Sequence, residues 1–327
     1  MDPNVMILGS GHAVPERILS NKDLEAMVNT SDQWIVERTG IRQRHIAAPG
    51  AALSDLAAAA ATAALSDAGL KATDIDLIVL GTVSGDMKFP ATACFVQEKI
   101  GAHDAVAFDI SAACSGFLYS LQVAAGLMRG GPYRHALVIG GEILSAMVDW
   151  KDRDTCVLFG DGAGAVVLGP SRQGRGLLGC CMTTDGRHTQ LLHSPGGGSL
   201  HPPSDASLAA GLHFIRMEGR EVFRHAVLSM EQALQKALLQ AGVEVQQLDL
   251  LIPHQANLRI IEAVGKRFDF PAERTFVNVD RFGNTSAASI PIALDQARRS
   301  GRIKPGDLVG LVTFGAGFTA AASVVRI

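Results

Sequence analysis

A chain of 327 residues with 29 Lys and Arg against 32 Asp and Glu carries a formal charge of −3, so no global field selects a nucleic acid or a membrane surface. It is 47% hydrophobic and only 5% aromatic, with 35 glycines, the make-up of a densely packed α/β protein with many tight turns. Its five cysteines (Cys94, Cys114, Cys156, Cys180, Cys181) are odd in number and lack zinc spacing, and Met1-Asp2-Pro3-Asn4 lacks the basic region of a signal peptide, so free thiols, no metal and a cytoplasmic location are expected.

In chain order, apolar runs of strand length alternate with helical patterns. Gly9-Ser10-Gly11 follows a strand as a dinucleotide fingerprint would, but position 14 is Val14 and the third glycine is missing. Leu53 to Leu70 reads as a long helix and Asp76 to Gly81 as a buried strand. Ala105 to Ile110 is another strand, leading into Ser111-Ala112-Ala113-Cys114-Ser115-Gly116. Phe117, Leu118, Leu121, Ala125 and Met128 then recur at helical spacing. Cys156 and the Cys180-Cys181 pair fall in strand-like apolar runs. Gly160-Asp161-Gly162-Ala163-Gly164 reads as a Gly-rich strand entry, because Val166 to Leu168 continue as strand. Gly196-Gly197-Gly198 to Ser207 reads as an exposed loop. His188, His193 and His201 lie nearby at spacings that suit no helix-borne metal site. Glu221 to Ala241 is a second long helix, Leu248 to Ile252 a strand, and Gln255-Ala256-Asn257 opens a helix. No residue from Leu308 to Val325 is charged, which reaches the length of a membrane span. Gly310, Gly315 and Gly317 interrupt it, so strand, Gly turn, strand is the better expectation.

The chain resembles itself. Ala64 to Leu70 matches Ala237 to Val243, and Asp76 to Gly81 matches Asp249 to His254, both at an offset of about 173. Val106 to Asp109 matches Val277 to Asp280, and Leu137-Val138 matches Leu308-Val309, both at about 171. A nearly constant offset at four successive places implies a duplicated α/β unit, with halves 1–172 and 173–327 and mostly parallel, doubly covered sheets.

Cys114 falls at a strand-to-helix junction. Unpaired N–H groups and the helix dipole there favour a thiolate and can hold an oxyanion. His254 ends a strand of the second half, where it can act as base, acid or hydrogen-bond donor. Cys114 lies as far past Asp109 as Thr285 lies past Asp280, so Asn284-Thr285 is expected at the duplicate of the Cys114 junction. The two junctions would then face one another, with His254 in reach.

Six motifs in order carry a resemblance along nearly the whole chain. They are Thr30 to Ile41, Ala112 to Phe117, Phe159 to Ala165, His254 to Arg259, Gly283 to Ala287 and Phe314 to Phe318. Together they resemble β-ketoacyl-acyl carrier protein synthase III, of the thiolase superfamily. The resemblance implies a five-layered αβαβα duplicate, a homodimer and a catalytic set of Cys114, His254 and Asn284, with no cofactor. Cys114 would take the acyl group of an acyl-coenzyme A primer. His254 and Asn284 would stabilise the carbanion formed when malonyl-acyl carrier protein loses carbon dioxide. The amides of Cys114 and Ala316 would form the oxyanion hole; Ala316 is a small departure, at a place where either Gly or Ala is expected.

The resemblance also implies that Trp34, Arg38 and Arg153 bind the nucleotide of coenzyme A, with Asn257 and Gly219 along the pantetheine tunnel. Phe89 would cross the dimer interface to close the partner's acyl pocket, and Leu144, Phe159 and Leu191 would wall it. Acyl carrier proteins are acidic, so a basic docking face is expected. Arg259, Lys266 and Arg267 share one face of the helix after His254, and Arg216, Arg220 and Arg224 would share another if their helix starts early enough. A relative that primes a secondary metabolite is the alternative. A nucleotide-dependent oxidoreductase is a distant one, for want of an intact Gly fingerprint. Thiolases need a second Cys in the C-terminal Gly turn, and Phe314 to Phe318 has none.

Overall fold

The computed structural model describes residues 5–171 and 174–327. The first sheet contains β1 (Val5–Ala13), β2 (Leu77–Gly81), β3 (Val106–Ile110), β4 (Ala136–Glu142) and β5 (Gly162–Pro170), in the order β1-β5-β4-β2-β3. The second contains β6 (Gly176–Thr184), β7 (Leu250–Pro253), β8 (Leu308–Gly315) and β9 (Thr319–Arg326), in the order β7-β8-β9-β6. A single parallel bridge, Leu251 to Thr275, stands beside β7 where the first sheet has β3. The two topologies therefore repeat. The expected boundary at 172/173 lies outside the described residues.

The sheets are more mixed than the alternation suggests. Pairs β2–β3, β2–β4 and β7–β8 are parallel, whereas β1–β5, β4–β5, β8–β9 and β9–β6 are antiparallel. The uncharged C-terminal run is the hairpin β8–β9, and among the described residues no helix is long and apolar enough to cross a membrane.

Helices make three layers around the two sheets. Helices α1 (Leu53–Ala68) and α2 (Thr92–Ile100) cover the outer face of the first sheet. Between the sheets lie α3 (Gly116–Gly130) and, later in the chain, α6 (Ser289–Arg299). Their Phe117, Leu118, Leu121, Ile290 and Leu294 join strands of both sheets in one core. Each such fully buried side chain contributes about 1.5–3 kcal/mol. Helices α4 (Gly219–Ala241) and α5 (Leu258–Arg267) cover the second sheet.

Glycine sets the depth of this packing. A Cβ on Gly9 or Gly11 would lie 2.5 Å from a carbonyl of the alanine-rich α1. The Gly9-Ser10-Gly11 run thus sits within β1 and admits a helix backbone. The inner helices approach the sheet still more closely. A Cβ on Gly81 would meet the Gly116 carbonyl carbon at 2.4 Å, and one on Gly140 would meet Ala287 O at 2.2 Å.

The repeat is more regular than the sequence comparison suggests. The left-handed caps Gly69 and Gly242, the starts of α3 and α6, and the 3-10 turns before them all keep one spacing. Those turns are Ala113–Ser115 and Ser286–Ala288. Their first residues, Ala113 (φ 46°) and Ser286 (φ 49°), share a left-handed backbone. The duplicate of Cys114 is therefore Ala287, and Asn284-Thr285 precedes the turn. The slip arises because Val277 to Asp280 forms no strand: a short helix, Val279–Phe282, takes its place.

Gly140→Ala is expected to cost about 2–3 kcal/mol by overpacking against backbone, read as a lower denaturation midpoint. Gly126→Ala, at an open helix position with nothing within 4 Å, is expected to add about 0.5–1 kcal/mol.

Candidate active site

Cys114 sits in the turn between β3 and α3. Thr313 Oγ1, on β8, donates to the Cys114 carbonyl at 2.9 Å. Thr319 Oγ1 donates to Ala112 O at 3.1 Å and lies 3.2 Å from Ala316 O. The Gly turn between β8 and β9 is thereby held against the cysteine turn. A Cβ on Gly315 would lie 2.8 Å from the Cys114 amide nitrogen, so only glycine permits this approach.

His254 follows β7 and is 3% exposed. Its amide donates to Val312 O at 2.8 Å, and its Nδ1 shares a 2.6 Å hydrogen bond with Ser289 Oγ at the start of α6. Nε2 is left for the cavity. Asn284 is 7% exposed. Its Oδ1 accepts from the Ser286 amide at 2.9 Å, which leaves its NH2 free to donate.

The segment bearing Asn284 is fixed by its neighbours. Asn284 N–H donates to Leu158 O at 2.8 Å, and Gly160 N–H donates to Asn284 O at 3.0 Å. Beneath them lies Arg44, fully buried, donating to Leu19 O (3.2 Å), Asn21 Oδ1 (2.9 Å) and Val157 O (2.7 Å). Gly160 and Gly283 pass directly over its Cβ.

Cys114, His254 and Asn284 line one cavity of about 490 Å³. Phe159, Gly219 and Asn257 line it too, and Trp34, Arg38, Arg220 and Arg259 stand along its course to the surface. Asn257 caps α5 through Oδ1, which accepts from Ile260 N–H at 3.0 Å. Trp34 is clasped by the guanidinium groups of Arg38 (4.8 Å) and Arg153 (4.6 Å). Three expected pocket residues lie elsewhere. Leu144 is buried in the cluster behind Phe159, Leu191 packs half-buried against the second sheet's outer core, and Phe89 is 83% exposed.

The basic faces are less free than the sequence suggests. Arg216 lies in a short strand before α4, so it does not share the face of Arg220 and Arg224. Arg224 pairs with Glu221 and Arg267 with Glu231, each at 2.6 Å. Arg259 rests over the Phe223 ring at 5.8 Å. Lys266 is exposed. Cys156 ends a short helix, Arg153–Cys156, in place of the expected strand.

Burial governs the site's electrostatics and corrects one expectation. The thiol of Cys114 is pushed up to about 12 by desolvation, and Glu142 adds to the rise, while a hydrogen bond from Ser286 works against it. The helix-end argument leaves out the side chains packed around the thiol, which is half-buried at the cavity wall. Desolvation likewise pulls His254 down to about 3, so the imidazole is neutral. Glu142, raised to about 7 by burial, and Ser286 are the residues that sequence reasoning passes over. Glu142 ends the apolar run Ala136 to Gly141, a lone charge where a buried strand closes; Ser286 lies two residues past Asn284.

Comparison with known proteins shows the family. Residues 108–186 match the model of 3-oxoacyl-[acyl-carrier-protein] synthase III, and residues 238–327 match that of its C-terminal part. The chain is similar to a β-ketoacyl-[acyl-carrier-protein] synthase III of Caldanaerobacter subterraneus subsp. tengcongensis, 52% identical over 98% of this chain and 97% of that one. Its fold is similar to that of a 3-oxoacyl-[acyl-carrier-protein] synthase III from Aquifex aeolicus, with TM-score 0.92 and 45% identity over 99% of this chain and 100% of that one. A priming β-ketosynthase of a polyketide pathway gives TM-score 0.92 at 35% identity, over 100% of this chain and 97% of that one. The chain belongs to the 3-oxoacyl-[acyl-carrier-protein] synthase III family of acyl-transferring, thiolase-like condensing enzymes.

Proposed function

We propose that this enzyme begins fatty acid synthesis by joining an acyl-coenzyme A primer to malonyl-acyl carrier protein, with Cys114 as the acyl carrier. The carrying observation is that Cys114, His254 and Asn284 line one cavity together with Asn257 and Gly219, and that half-buried Trp34 and exposed Arg38 line its outer end. A nucleotide suits that outer end. Two guanidiniums beside an indole supply a stacking face and cations for phosphates.

The Cys114 sulfur attacks the thioester carbon, the oxyanion rests on backbone N–H groups of Cys114 and Ala316, and coenzyme A leaves. Malonyl-acyl carrier protein then enters the same cavity. Loss of carbon dioxide leaves charge on the thioester oxygen, where His254 Nε2–H and the Asn284 NH2 donate. That role places the His254 proton on Nε2, with Nδ1 accepting from Ser289 Oγ 2.6 Å away. The carbanion attacks acyl-Cys114 and frees the sulfur.

Arg224, Arg259, Lys266 and Arg267 lie on the half that carries His254, and they supply the docking face for an acidic carrier protein. Phe89 and Met87, two residues before it, are 83% and 52% exposed, which suits a homodimer whose partner receives Phe89. Phe159 walls the acyl pocket, with Leu144 and Leu191 behind the walls. We place the enzyme in the cytoplasm. The similarity to curated synthases at 52% exceeds that to the polyketide enzyme at 35%, which favours fatty acid over secondary metabolism.

Intact-protein mass spectrometry with a panel of acyl-coenzyme A esters is expected to show one acyl mass gain, lost in Cys114→Ala. His254→Ala and Asn284→Ala are expected to keep that gain but lower condensation by about 10²–10³-fold. An adduct that persists without Cys114 refutes the assignment. Lys266→Glu with Arg267→Glu, both outside the cavity lining, is expected to raise KM for malonyl-acyl carrier protein roughly three- to tenfold, the size of about 1 kcal/mol of lost surface attraction. Acylation by acyl-coenzyme A is expected to be unchanged.

A further inference from the structure

Glu142 neither takes the acyl group nor faces the enolate-like oxygen, yet it is fully buried at the C-terminal end of β4. Its donors are Thr82 Oγ1 (3.0 Å), the amides of Val83 and Ser84 (both 3.1 Å), the Ser84 hydroxyl, and Ser286 Oγ (3.2 Å). All are neutral, and no Lys or Arg among the described residues bonds to it. Burial pushes this carboxyl up to about 7, which suits a group that takes and returns a proton near neutrality.

Ser286 is the link. A hydroxyl has one proton and two lone pairs. The Ser286 proton is directed to Glu142; turn 286–288 packs against turn 113–115, and a hydrogen bond from Ser286 favours the Cys114 thiolate, the bond its hydroxyl gives once it holds the cysteine's proton. We propose that Glu142 is a positioning residue for the nucleophile: through Ser286 it accepts the Cys114 proton as the sulfur attacks, and returns it when the sulfur leaves. The inference rests on the acyl transfer proposed for Cys114.

The cycle balances. In acylation the sulfur bonds to the thioester carbon, its proton passes to Ser286, and the Ser286 proton passes to Glu142. Collapse breaks the bond to coenzyme A, whose thiolate leaves and takes a proton from water. In condensation the carbanion attacks the same carbonyl carbon, the bond to Cys114 breaks, and the sulfur recovers its proton by the reverse path. The net proton consumed is the one on coenzyme A. An ionised Glu142 beside a thiolate would put two like charges in a buried site, and the exchange keeps the charge at one.

Other ionisable groups near this path are occupied or neutral. His254 faces the cavity uncharged. Asp161, next to Gly162 opposite Glu142, accepts from the Ala47 amide (2.7 Å) and the Ser145 hydroxyl (2.6 Å). Asp109 on β3 accepts from the amides of Thr92 (2.6 Å) and Ala93 (2.8 Å).

Peptide-resolved iodoacetamide alkylation of Cys114 across pH tests this without any acyl substrate. In the wild type the rate is expected to climb through neutrality, as the coupled pair loses its first proton, and again at far higher pH. Glu142→Gln keeps the volume but cannot take the proton. It is expected to lose the neutral limb, with the rate at about pH 8 down by about 10²-fold. Ser286→Ala is expected to do the same with Glu142 in place, and Glu142→Asp to restore part of the limb. If Glu142→Gln does not fold, Ser286→Ala decides. A neutral limb retained in the folded variants overturns the proposal. A limb present in the wild type and lost in the variants supports it even if no coenzyme A ester acylates Cys114, a result that would sink only the acyl transfer itself.

Discussion

The structure depends on how closely two helix starts approach the sheet and each other. Turns 113–115 and 286–288 stand against β2 and β4 at Gly81 and Gly140, where no side chain fits. Between the turns, a Cβ on Gly116 would meet that of Ala287 at 3.2 Å. Each turn opens with a non-glycine residue in left-handed backbone, which costs on the order of 1–3 kcal/mol. The inner core, with Phe117 and Leu118 almost without exposure, overcomes that cost. This close approach sets placement: the cysteine of one half lies beside the Asn284 to Ser286 segment of the other.

Placement alone does not make a reactive thiol. In this buried setting the thiol, the carboxyl and the imidazole are each pushed toward the neutral form: the first two up, the last down, all chiefly by desolvation. Such a site carries little standing charge, and its donors are oriented before any charge develops. Oriented dipoles are worth more in a water-excluded pocket than in water. Chemistry that generates one transient negative charge at a time, on an oxyanion and then on an enolate-like oxygen, is the kind such a site favours.

Much of this is legible in the residues. The alternation of apolar runs and helical periods locates the strands of the two large sheets but not the short pairs outside them, and the repeat anticipates two junctions in contact. The Cys114 junction needs only a strand followed by a 3.6-residue pattern. The slip from Ala287 to Thr285 arises because strand-like composition at Val277 to Asp280 is satisfied by a helical turn, and local composition does not count the residues a connection consumes. Thiol acidity is hidden for a related reason: a helix end is a local feature, while burial is set by side chains from both halves. Glu142 is visible only as a polar residue closing an apolar run. Its meaning comes from Ser286, which is distant in sequence. Arg216 shows the limit of spacing arguments, since the helix begins three residues too late to include it.

Arg44 gives the Asn284 segment an unusual kind of fastening. Its partners are two backbone carbonyls and one side-chain amide, none of which titrates. Burial lowers the guanidinium only to about 10, so it keeps its charge at any lower pH. A carboxylate among its partners would have lost its charge on acidification and loosened the hold. The architecture thus separates two duties: the groups that exchange protons sit on one side of Asn284, and an anchor indifferent to acid sits on the other. Mild acid should therefore silence the enzyme by protonating its chemistry while leaving its frame in register.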